Sequence, residues 1–508
     1  MATLRNKILK DTAILNTSLL IGQVLLTLQS LIVMRFLEPS AYGMWLGLNI
    51  ILVYAGYLHL GLDHGMGLRL PYYQGQGNTQ RVTNIQDAVY TAWTGVAMLA
   101  AIGVMGYALL VPQPSNLQRW GLFIAAGLIV FEQQIRFMAR WQSSARKDFV
   151  LCSLVAIFRS VLSFCLVVPL AYLLNVNGVM IGALLVAGIT AAAWWVKTSY
   201  RPGWQFSREV LWETLRIGFP ILLAVLGGGL IETVDRLLIL NMLGTTSLGY
   251  YGVTSLGGSQ IYHLLAQAGS AMSPHMVEDM GKHGDSPLAM EKYLVKPTLI
   301  FAYVAAIAII GLTLAIPLLV QVVLPRYRPG LSAFYLFVPG FFFLSLILSA
   351  NNILNLILIA RRRQRWVVYI QAVALAIEII CGVLFIRMGW DIAGVALAST
   401  LAYAFYGLTI LIAATVYVIP DQQHRLSFWA DVLTPFASIV AVTAFVQWTG
   451  SRGIPHHVVL RAAVQLAVCA ILCLSMIAWL NRRVEIIKEM SPLLQAVQKR
   501  IGLPITKP

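Results

Sequence analysis

Apolar runs long enough to cross a membrane fill almost the whole chain. A helix needs roughly 20 apolar residues to span a hydrocarbon core about 30 Å thick. Runs of this kind are continuously apolar and do not alternate with period two, which favours helices over a barrel. The approximate limits of the predicted spans are 12–34, 42–62, 86–111, 117–138, 150–174, 178–198, 216–240, 248–273, 295–320, 331–358, 366–387, 391–418, 428–449 and 458–480. The pattern therefore predicts an all-α integral membrane protein.

Composition supports the same class. Of the 508 residues 59% are hydrophobic and 11% are charged, whereas soluble proteins carry roughly 25% charged residues. All five cysteines lie inside predicted spans, and no metal-type CxxC is present, so the chain predicts neither a disulfide framework nor a metal site. The first apolar run is too long for a cleavable signal and is expected to remain as helix 1. We expect no cofactor, and no segment is long enough for a soluble catalytic domain.

The formal net charge of +16 is explained by topology and does not indicate nucleic-acid binding. If the N-terminus is cytoplasmic, Lys and Arg favour the cytoplasmic side by about four to one, as the positive-inside rule expects. Both termini are then cytoplasmic. The cluster Arg361–Arg365 serves this topology, with recruitment of anionic lipid as the alternative. The tail from Arg482 to Ile501 predicts a basic amphipathic helix on the inner membrane surface.

One short connector occurs twice. The stretch VMRFLEPSAYGMW at 33–45 and the stretch ILNMLGTTSLGYY at 239–251 align with a shift of 206, which places Gly43 on Gly249. We expect Pro39 to end helix 1 and Gly43 to permit a tight turn. A looser match places Gly182 on Gly394.

These matches predict a duplicated six-helix unit whose two copies run parallel about an axis along the membrane normal. The expected organisation is an N-lobe at 1–200, a C-lobe at 201–420, two additional spans at 421–481 and a cytoplasmic tail at 482–508. A cleft between the two lobes would open to each side in turn.

Two stretches carry a family resemblance. The stretch MRFLEPSAYGMWLGLNIILVYAGYLHLGLDHGMGLRLP resembles the opening of polysaccharide transporters, the lipid-linked oligosaccharide (O-antigen) flippases of the multidrug/oligosaccharidyl-lipid/polysaccharide (MOP) superfamily. A second similar stretch is IGFPILLAVLGGGLIETVDRLLILNMLGTTSLGYYGVTSL. The matching positions are Arg35, Leu37, Pro39, Tyr42, Gly43, Asp63 and Gly65, then Pro220, Asp235, Arg236, Leu248, Gly249, Tyr250 and Tyr251. The chain departs from the family at Glu38, where glycine is usual.

The resemblance implies alternating access in a bacterial inner membrane. The cargo would be an undecaprenyl-diphosphate-linked oligosaccharide for O-antigen, capsule or exopolysaccharide, and the protein would not be an enzyme. The implied partners are this lipid-linked substrate and membrane lipids, with a polysaccharide polymerase and chain-length proteins as further candidates; nucleic acid is not among them. Arg35 and Asp63, which lie in the first matching stretch, are candidates for gating.

Charges at membrane depth are costly, so each is a candidate functional residue. Arg159 lies about 14 Å into helix 5 at 1.5 Å per residue, and no acid stands three or four positions away. It is expected to line the cavity and bind the diphosphate or an acidic sugar, because arginine binds phosphate bidentately. The alternative is a structural bond to helix-end carbonyls or to an acid on another helix. Glu378 would carry a coupling proton or pair with Arg159.

Helix 7 carries Glu232, Asp235 and Arg236. Glu232 and Arg236 are four residues apart and are expected to pair, as are Glu132 and Arg136 on helix 4. Asp235 and Arg236 are candidates for sugar contact. Glu232 joins Glu378 as a candidate for ion coupling.

Polar residues without a fixed charge complete the candidate set. His263 lies in the glycine-rich helix 8 and is a third candidate for ion coupling, because it would titrate near neutral pH, or else it forms an interhelical hydrogen bond. Gln23 on helix 1 and Asn351 and Asn352 on helix 10 suit sugar hydroxyls, with hydrogen bonding between helices as the alternative.

Three functions remain after no nucleotide-binding, metalloprotease or serine-hydrolase motif is found. The first is the lipid-linked oligosaccharide flippase, with a lipid II flippase as a close variant. The second is an ion-coupled multidrug exporter, which often has an acid in helix 1, whereas this helix has none between Asp11 and Glu38. The third is a membrane glycan polymerase or ligase, which would need a longer outer loop than any found here.

Overall fold

The computed structural model describes residues 2–146, 148–198, 201–258, 287–360, 365–451 and 458–484, and their regular structure is helical throughout. Eleven of the described helices are long and apolar enough to cross a membrane. The protein is therefore an all-α, multi-pass membrane protein, and the fold class predicted from the hydrophobic pattern is confirmed.

The described helices follow one another with short connections. They are α1 (Ala2–Phe36), α2 (Pro39–Ala55), α3 (Leu62–Gly75), α4 (Thr79–Leu110), α5 (Asn116–Trp141), α6 (Phe149–Lys197), α7 (Arg208–Ile231), α8 (Val234–Met242), α9 (244–258), α10 (Pro287–Val322), α11 (Leu331–Ala360), α12 (Arg365–Arg387), α13 (Asp391–Val418), α14 (Gln422–Ser451) and α15 (Val458–Val484). A π-helical turn at Gln142–Arg146 joins α5 to α6, and a 3₁₀ turn at Pro325–Gly330 precedes α11.

Helix α6 contains two predicted spans. Its 49 residues bend at Asn175, whose backbone has φ 53° and ψ −136°. Gly178 faces the carbonyl of Leu170 so closely that a Cβ atom would collide with it. The two predicted spans at 150–174 and 178–198 are thus joined by a single-residue break instead of a loop.

The predicted span at 216–240 is two helices. Helix α7 ends at Ile231, and α8 begins at Val234. Three consecutive glycines, Gly227 to Gly229, weaken the last turn of α7 because glycine loses the most backbone freedom in a helix. The Thr233 hydroxyl, in the break between the two helices, donates to the Gly229 carbonyl at 2.7 Å.

The repeated connector has a different role from the one predicted. Helix α1 ends at Phe36, and Pro39 is the first residue of α2, where its missing N–H costs nothing. Gly43 lies inside α2 and not in a turn. A Cβ atom on Gly43 would collide with the Thr245 carbonyl of α9, so this glycine is required for close helix packing.

The chain divides into two compact units. The first consists of Met1–Leu256, Val320–Phe334 and Arg365–Ser399, and the second of Gly257–Leu319, Tyr335–Gln364 and Thr400–Pro508. The lobes expected at 1–200 and 201–420 remain a prediction.

In the first unit, α1 lies along α6, and α4, α5 and α6 enclose a large aromatic core. Trp93, Phe137 and Trp194 are buried there, with Trp93 packed edge-on against Phe137. In the second unit, Tyr303 stacks on Trp479, and the buried Gln465 side chain donates to the Thr449 hydroxyl at 2.7 Å. The cavity and the charged groups described below lie in the first unit.

Candidate functional site

A cavity of about 360 Å³ lies in the first unit, beside the end of α2 and between α4, α5 and α6. Its lining residues are His59, Asp63, Trp93, Arg136, Ala139, Arg140, Ser143 and Cys152. We call it the arginine cavity.

One buried amide positions the helices around the arginine cavity. Gln133 on α5 donates to the Ala55 carbonyl at the end of α2 at 2.6 Å, and it accepts the Trp93 indole N–H from α4 at 2.6 Å. Gln133 is fully enclosed, so losing either bond would leave a buried polar atom unpaired at a cost of about 1–3 kcal/mol. The network fixes the wall that carries Arg136 and Arg140.

A second set of contacts holds α3 on α7. Backbone atoms of Gly61 and Gly218 lie too close for a Cβ atom on either residue. The buried Arg69 side chain donates to the Thr214 hydroxyl at 2.6 Å and to the Val210 carbonyl at 3.1 Å, and it pairs with Glu213. These contacts fix the start of α3, where Asp63 lies.

Two of the charged residues in the cavity neutralise each other. Arg140 binds both carboxylate oxygens of Asp63, through Nε and through Nη2, the latter at 2.7 Å. A bidentate pair of this kind holds both side chains in a defined orientation. Asp63, predicted as a gating residue, therefore lies in the cavity wall and orients Arg140.

Arg136 has no such partner. Among the residues that the structure describes, no carboxylate lies within ion-pair distance of its guanidinium. The guanidinium lies against Gly56 at the C-terminal end of α2, where the partial negative charge of a helix favours a cation. The cavity consequently carries one uncompensated positive charge.

Two histidines flank the Asp63 carboxylate. Ligand atoms of His59, Asp63 and His64 lie within 4.8 Å of one another, a spacing that would suit a metal ion. However, Arg140 already occupies both Asp63 oxygens, and His59 Nδ1 accepts the Gly61 N–H at 3.0 Å. Burial lowers the pKa of His64, so this imidazole is neutral at neutral pH. With two guanidinium groups beside it, this group of residues fits an anion better than a metal cation.

Arg159 is paired with an acid on a neighbouring helix. Its Nη2 atom donates to Glu132 Oε1 on α5, and the side chains of Arg159 and Glu132 are 39% and 18% exposed. Of the two interpretations offered for Arg159, the structural pair is present. The predicted pair between Glu132 and Arg136 is wrong, because Glu132 bonds to Arg159 instead. Glu132 lies one turn of α5 from Arg136, so the pair and the cavity share one helix face.

A second group of charges surrounds the start of α8. Asp235 is buried and accepts the Tyr251 hydroxyl at 2.8 Å and the Arg236 backbone N–H at 2.6 Å. Glu378 on α12 is fully buried and lies within electrostatic range of Asp235, with the Ser399 hydroxyl beside it. That hydroxyl donates to the Val395 carbonyl at 3.1 Å. We call Asp235 and Glu378 the carboxylate pair.

The carboxylate pair corrects two predictions. Glu378 is not the partner of Arg159, since Glu132 occupies that position. Glu232 and Arg236 do not form the predicted ion pair, because the break between α7 and α8 removes the helical register that would bring them together. Glu232 still contributes to the field around Arg236.

The remaining candidates lie elsewhere or outside the described residues. Gln23 is half-buried on α1 and does not line the arginine cavity. Arg35 is exposed and donates to the Val323 carbonyl at 2.7 Å. Asn351 and Asn352 lie on α11, but their side chains are outside the described part of the structure. The positions that fall wholly outside the described residues are His263, the stretch Arg361–Gln364 and the tail beyond Val484.

Several residues of these sites were not singled out from the sequence. His59, Arg140, Trp93 and Gln133 build the arginine cavity, and Tyr251 binds Asp235. The density of polar residues in GYLHLGLDHG at the end of a predicted span was the available signal for the first group. Nothing in the sequence indicated that α4 and α5 would contribute to the same site.

Comparisons with known proteins agree with this architecture. The sequence model of a family described as polysaccharide biosynthesis protein matches residues 32–326, more than half of the chain. A comparison with curated protein sequences finds no match.

Solved structures share the fold at low identity. Lipid II flippase MurJ in an inward closed conformation is 12% identical, with 92% of this chain and 99% of that chain covered and a TM-score of 0.65. A MATE transporter from Vibrio cholerae is 14% identical, with 83% and 98% covered and a TM-score of 0.57. A MOP superfamily transporter from Pyrococcus furiosus is 14% identical, with 80% and 95% covered and a TM-score of 0.54. The resemblance stated from the sequence is confirmed: this chain belongs to the polysaccharide biosynthesis protein family and has the membrane fold of MOP superfamily flippases and transporters.

Proposed function

We propose that this protein flips an undecaprenyl-diphosphate-linked oligosaccharide across the bacterial inner membrane for polysaccharide biosynthesis. In the proposed orientation both termini are cytoplasmic, so the end of α2 and the arginine cavity face the cytoplasm. The oligosaccharide enters from the cytoplasmic leaflet, and alternating access delivers it to the periplasmic leaflet. The protein performs no covalent chemistry in this cycle.

The observation that carries this proposal is the family match over residues 32–326. That segment contains the arginine cavity, the Arg159–Glu132 pair and Asp235. Charges at membrane depth in a polysaccharide biosynthesis protein favour a polar cargo, because such charges are costly in lipid unless they serve a function. The fold shared with a lipid II flippase supports a cargo with a polar head and a lipid tail.

Each charged group has a role in the proposed cycle. Arg159 binds the anionic part of the cargo when it exchanges Glu132 for phosphate, and Asp235 and Arg236 contact sugar near the break between α7 and α8. Gln23, Asn351 and Asn352 supply hydrogen bonds to sugar hydroxyls. Arg35 and Asp63 act at the gates, which their contacts to Val323 and Arg140 support.

The carboxylate pair supports ion coupling. Two carboxylates buried within electrostatic range of each other repel unless a cation or a proton neutralises one of them. Glu378, with Glu232 and His263 as further candidates, would bind the coupling ion. This arrangement supplies an energy source for a protein in which no nucleotide-binding motif is found.

Multidrug export of cations is less compatible with this site. The uncompensated Arg136 would repel a cationic drug from the arginine cavity. We therefore place the exporter second, although MATE transporters share the fold.

Glycan export in a deletion strain tests the proposal. The strain should lose its surface polysaccharide and recover it with the wild-type gene. Arg159→Glu should fail to restore export although membrane fractions contain the protein, while Arg216→Glu, at an exposed position on α7, should restore it. If the deletion strain exports polysaccharide normally, the proposed function is wrong.

A further inference from the structure

We propose that the arginine cavity is a binding site for the diphosphate of the lipid-linked cargo, separate from Arg159 and reached before it. The inference rests on the proposed function for the source of the ligand. The chemistry of the site, a cavity that selects a phosphate or diphosphate anion, follows from its own residues.

The cavity is large enough for a headgroup and too small for a whole cargo molecule. Ligand pockets commonly enclose about 300–1,000 Å³, and this one has about 360 Å³. A diphosphate and part of the first sugar would fill it. The lipid tail and the rest of the oligosaccharide must then lie outside, so the cavity can hold the anionic part of the cargo and nothing more.

The polar groups of the cavity are arranged as donors. Asp63 is the acid of the cavity wall, and Arg140 uses Nε and Nη2 to bind its two oxygens. Arg140 Nη1 makes no hydrogen bond to any described residue and lies beside Gly67. Since His59 Nδ1 accepts the Gly61 N–H, the ring proton is on Nε2, which can donate. Three donors therefore remain: the Arg136 guanidinium, Arg140 Nη1 and His59 Nε2.

Electrostatics favour the same ligand. The Asp63–Arg140 pair is neutral overall, so Arg136 sets the net charge of the lining at one positive charge. Arginine presents a planar fork that binds phosphate through two parallel hydrogen bonds. A cation would instead face Arg136 with no free carboxylate to offset the repulsion.

The neighbouring Arg159–Glu132 pair differs from this site in one respect. There the arginine is already matched by an acid, whereas Arg136 is not. Glu132, Arg136 and Arg140 follow at intervals of four residues on α5, so they lie along one face. A phosphate held by Arg136 is thus one helical turn from the pair, which makes the arginine cavity the first of two binding positions.

Cys152 provides a reporter inside the cavity. It is half-buried in the lining, and Cys165, Cys381, Cys469 and Cys473 can be replaced by serine. In the purified full-length protein, we would measure how fast the anionic thiol reagent sulfonatoethyl methanethiosulfonate modifies Cys152, with and without pyrophosphate or geranyl diphosphate.

Both probes should slow the modification of Cys152 at least fivefold, and geranyl diphosphate should do so at about one-tenth of the pyrophosphate concentration. Arg136→Gln should remove the protection and also slow the anionic reagent relative to a neutral one. Arg216→Gln, which removes an arginine outside the cavity, should leave protection unchanged. Thermal unfolding of each variant separates loss of binding from loss of folding, and Arg136→Lys should retain partial protection.

Two results would overturn the inference. One is a Cys152 modification rate that neither probe changes, and the other is full protection in a folded Arg136→Gln protein. Equal protection by both probes at the same concentration would overturn the assignment to a lipid-linked headgroup. The deletion strain reports on flipping independently: a cavity that binds no probe in a protein that restores export would refute this site and leave the proposed function intact.

Discussion

Gly43 and Gly249 contact each other's helices through equivalent surfaces. A Cβ atom on Gly43 would collide with the carbonyl of Thr245, and one on Gly249 would collide with the carbonyl of Pro39. Each carbonyl belongs to the residue four positions before the opposite glycine. The contact is therefore the same in both directions, as at a two-fold axis. This relationship supports a duplicated unit with parallel copies and explains why the connector occurs twice.

The first prediction follows from this contact. Gly43→Ala and Gly249→Ala should each lower the thermal unfolding midpoint of the purified protein, by the equivalent of about 1–3 kcal/mol, because overpacking forces neighbouring atoms to move. The neighbours here are backbone carbonyls, which yield less readily than a flexible side chain. Thermal unfolding in detergent measures the effect.

Gly103→Ala is the matched control. Gly103 lies inside α4, and a Cβ atom there meets nothing within 4 Å. Alanine should leave the midpoint unchanged or raise it, because alanine is up to about 1 kcal/mol more favourable than glycine in a helix. Equal midpoints for Gly43→Ala and the wild type would contradict the packing explanation.

The second prediction concerns the Arg159–Glu132 pair. Arg159→Ala and Glu132→Ala should each destabilise the protein, and the double variant should lose less stability than the sum of the two losses, since each single change leaves a charge without its partner. Contacting residues usually couple by about 0.5–3 kcal/mol, and the partial exposure of Arg159 places this pair below the top of that range. A double-mutant cycle of unfolding free energies gives the value.

The exchanged pair Glu132→Arg with Arg159→Glu separates stability from transport. It should recover most of the stability lost by Arg159→Glu, because opposite charges still face each other. It should not recover polysaccharide export, because the cation has moved from α6 to α5. Additive single variants would show that the pair does not interact, and normal export by the exchanged protein would refute a role for Arg159 in binding the anion.

The hydrophobic pattern predicted the fold class because span length is a local property that bilayer thickness fixes. Pairing of charges is not local in the same way. Glu132 was expected to bond to Arg136 one turn away, but α6 brings Arg159 to it from 27 residues along the chain. The sequence offered several acids for Arg159, and only the packing of α5 against α6 selects one of them.

The break between α7 and α8 shows a second limit. An i to i+4 pairing rule assumes a continuous helix, and Glu232 and Arg236 satisfy the spacing but not that condition. The glycines from Gly227 to Gly229 were visible in the sequence. Their consequence depends on tertiary contacts, because close packing of Gly229 beside the Tyr57 hydroxyl stabilises the structure at that end of α7.

The third prediction tests the carboxylate pair. In the wild-type protein, two buried like charges should make stability depend on a neutralising cation, so the unfolding midpoint should rise when sodium replaces choline or when the pH falls from 8 to 6. Glu378→Gln removes one of the two charges. This variant should unfold at a higher temperature than the wild type at pH 8 without sodium, and its midpoint should depend less on sodium and on pH.

Glu209→Gln is the control for this experiment. It removes one negative charge from an exposed position on α7 and should preserve the wild-type response to sodium and to pH. An unchanged response in Glu378→Gln would show that Asp235 and Glu378 do not share a cation.

The last prediction concerns Asn175, the residue at which α6 bends. Its φ of 53° lies where L-residues other than glycine are disfavoured by roughly 1–2 kcal/mol. Asn175 is exposed, so replacing it removes little packing. Asn175→Gly should raise the unfolding midpoint, and Asn175→Val should lower it, because a β-branched side chain is less tolerant of this conformation than asparagine.

Asn177 gives the opposite sign for the same chemical change. It is also exposed, but it lies in the helical part of α6 with an ordinary negative φ. Asn177→Gly should therefore lower the midpoint, since glycine is the less favourable of the two residues in a helix interior. If both glycine variants shift the midpoint in the same direction, the backbone at Asn175 is not what limits stability there, and the two spans of α6 must be joined by a conformation that asparagine adopts without cost.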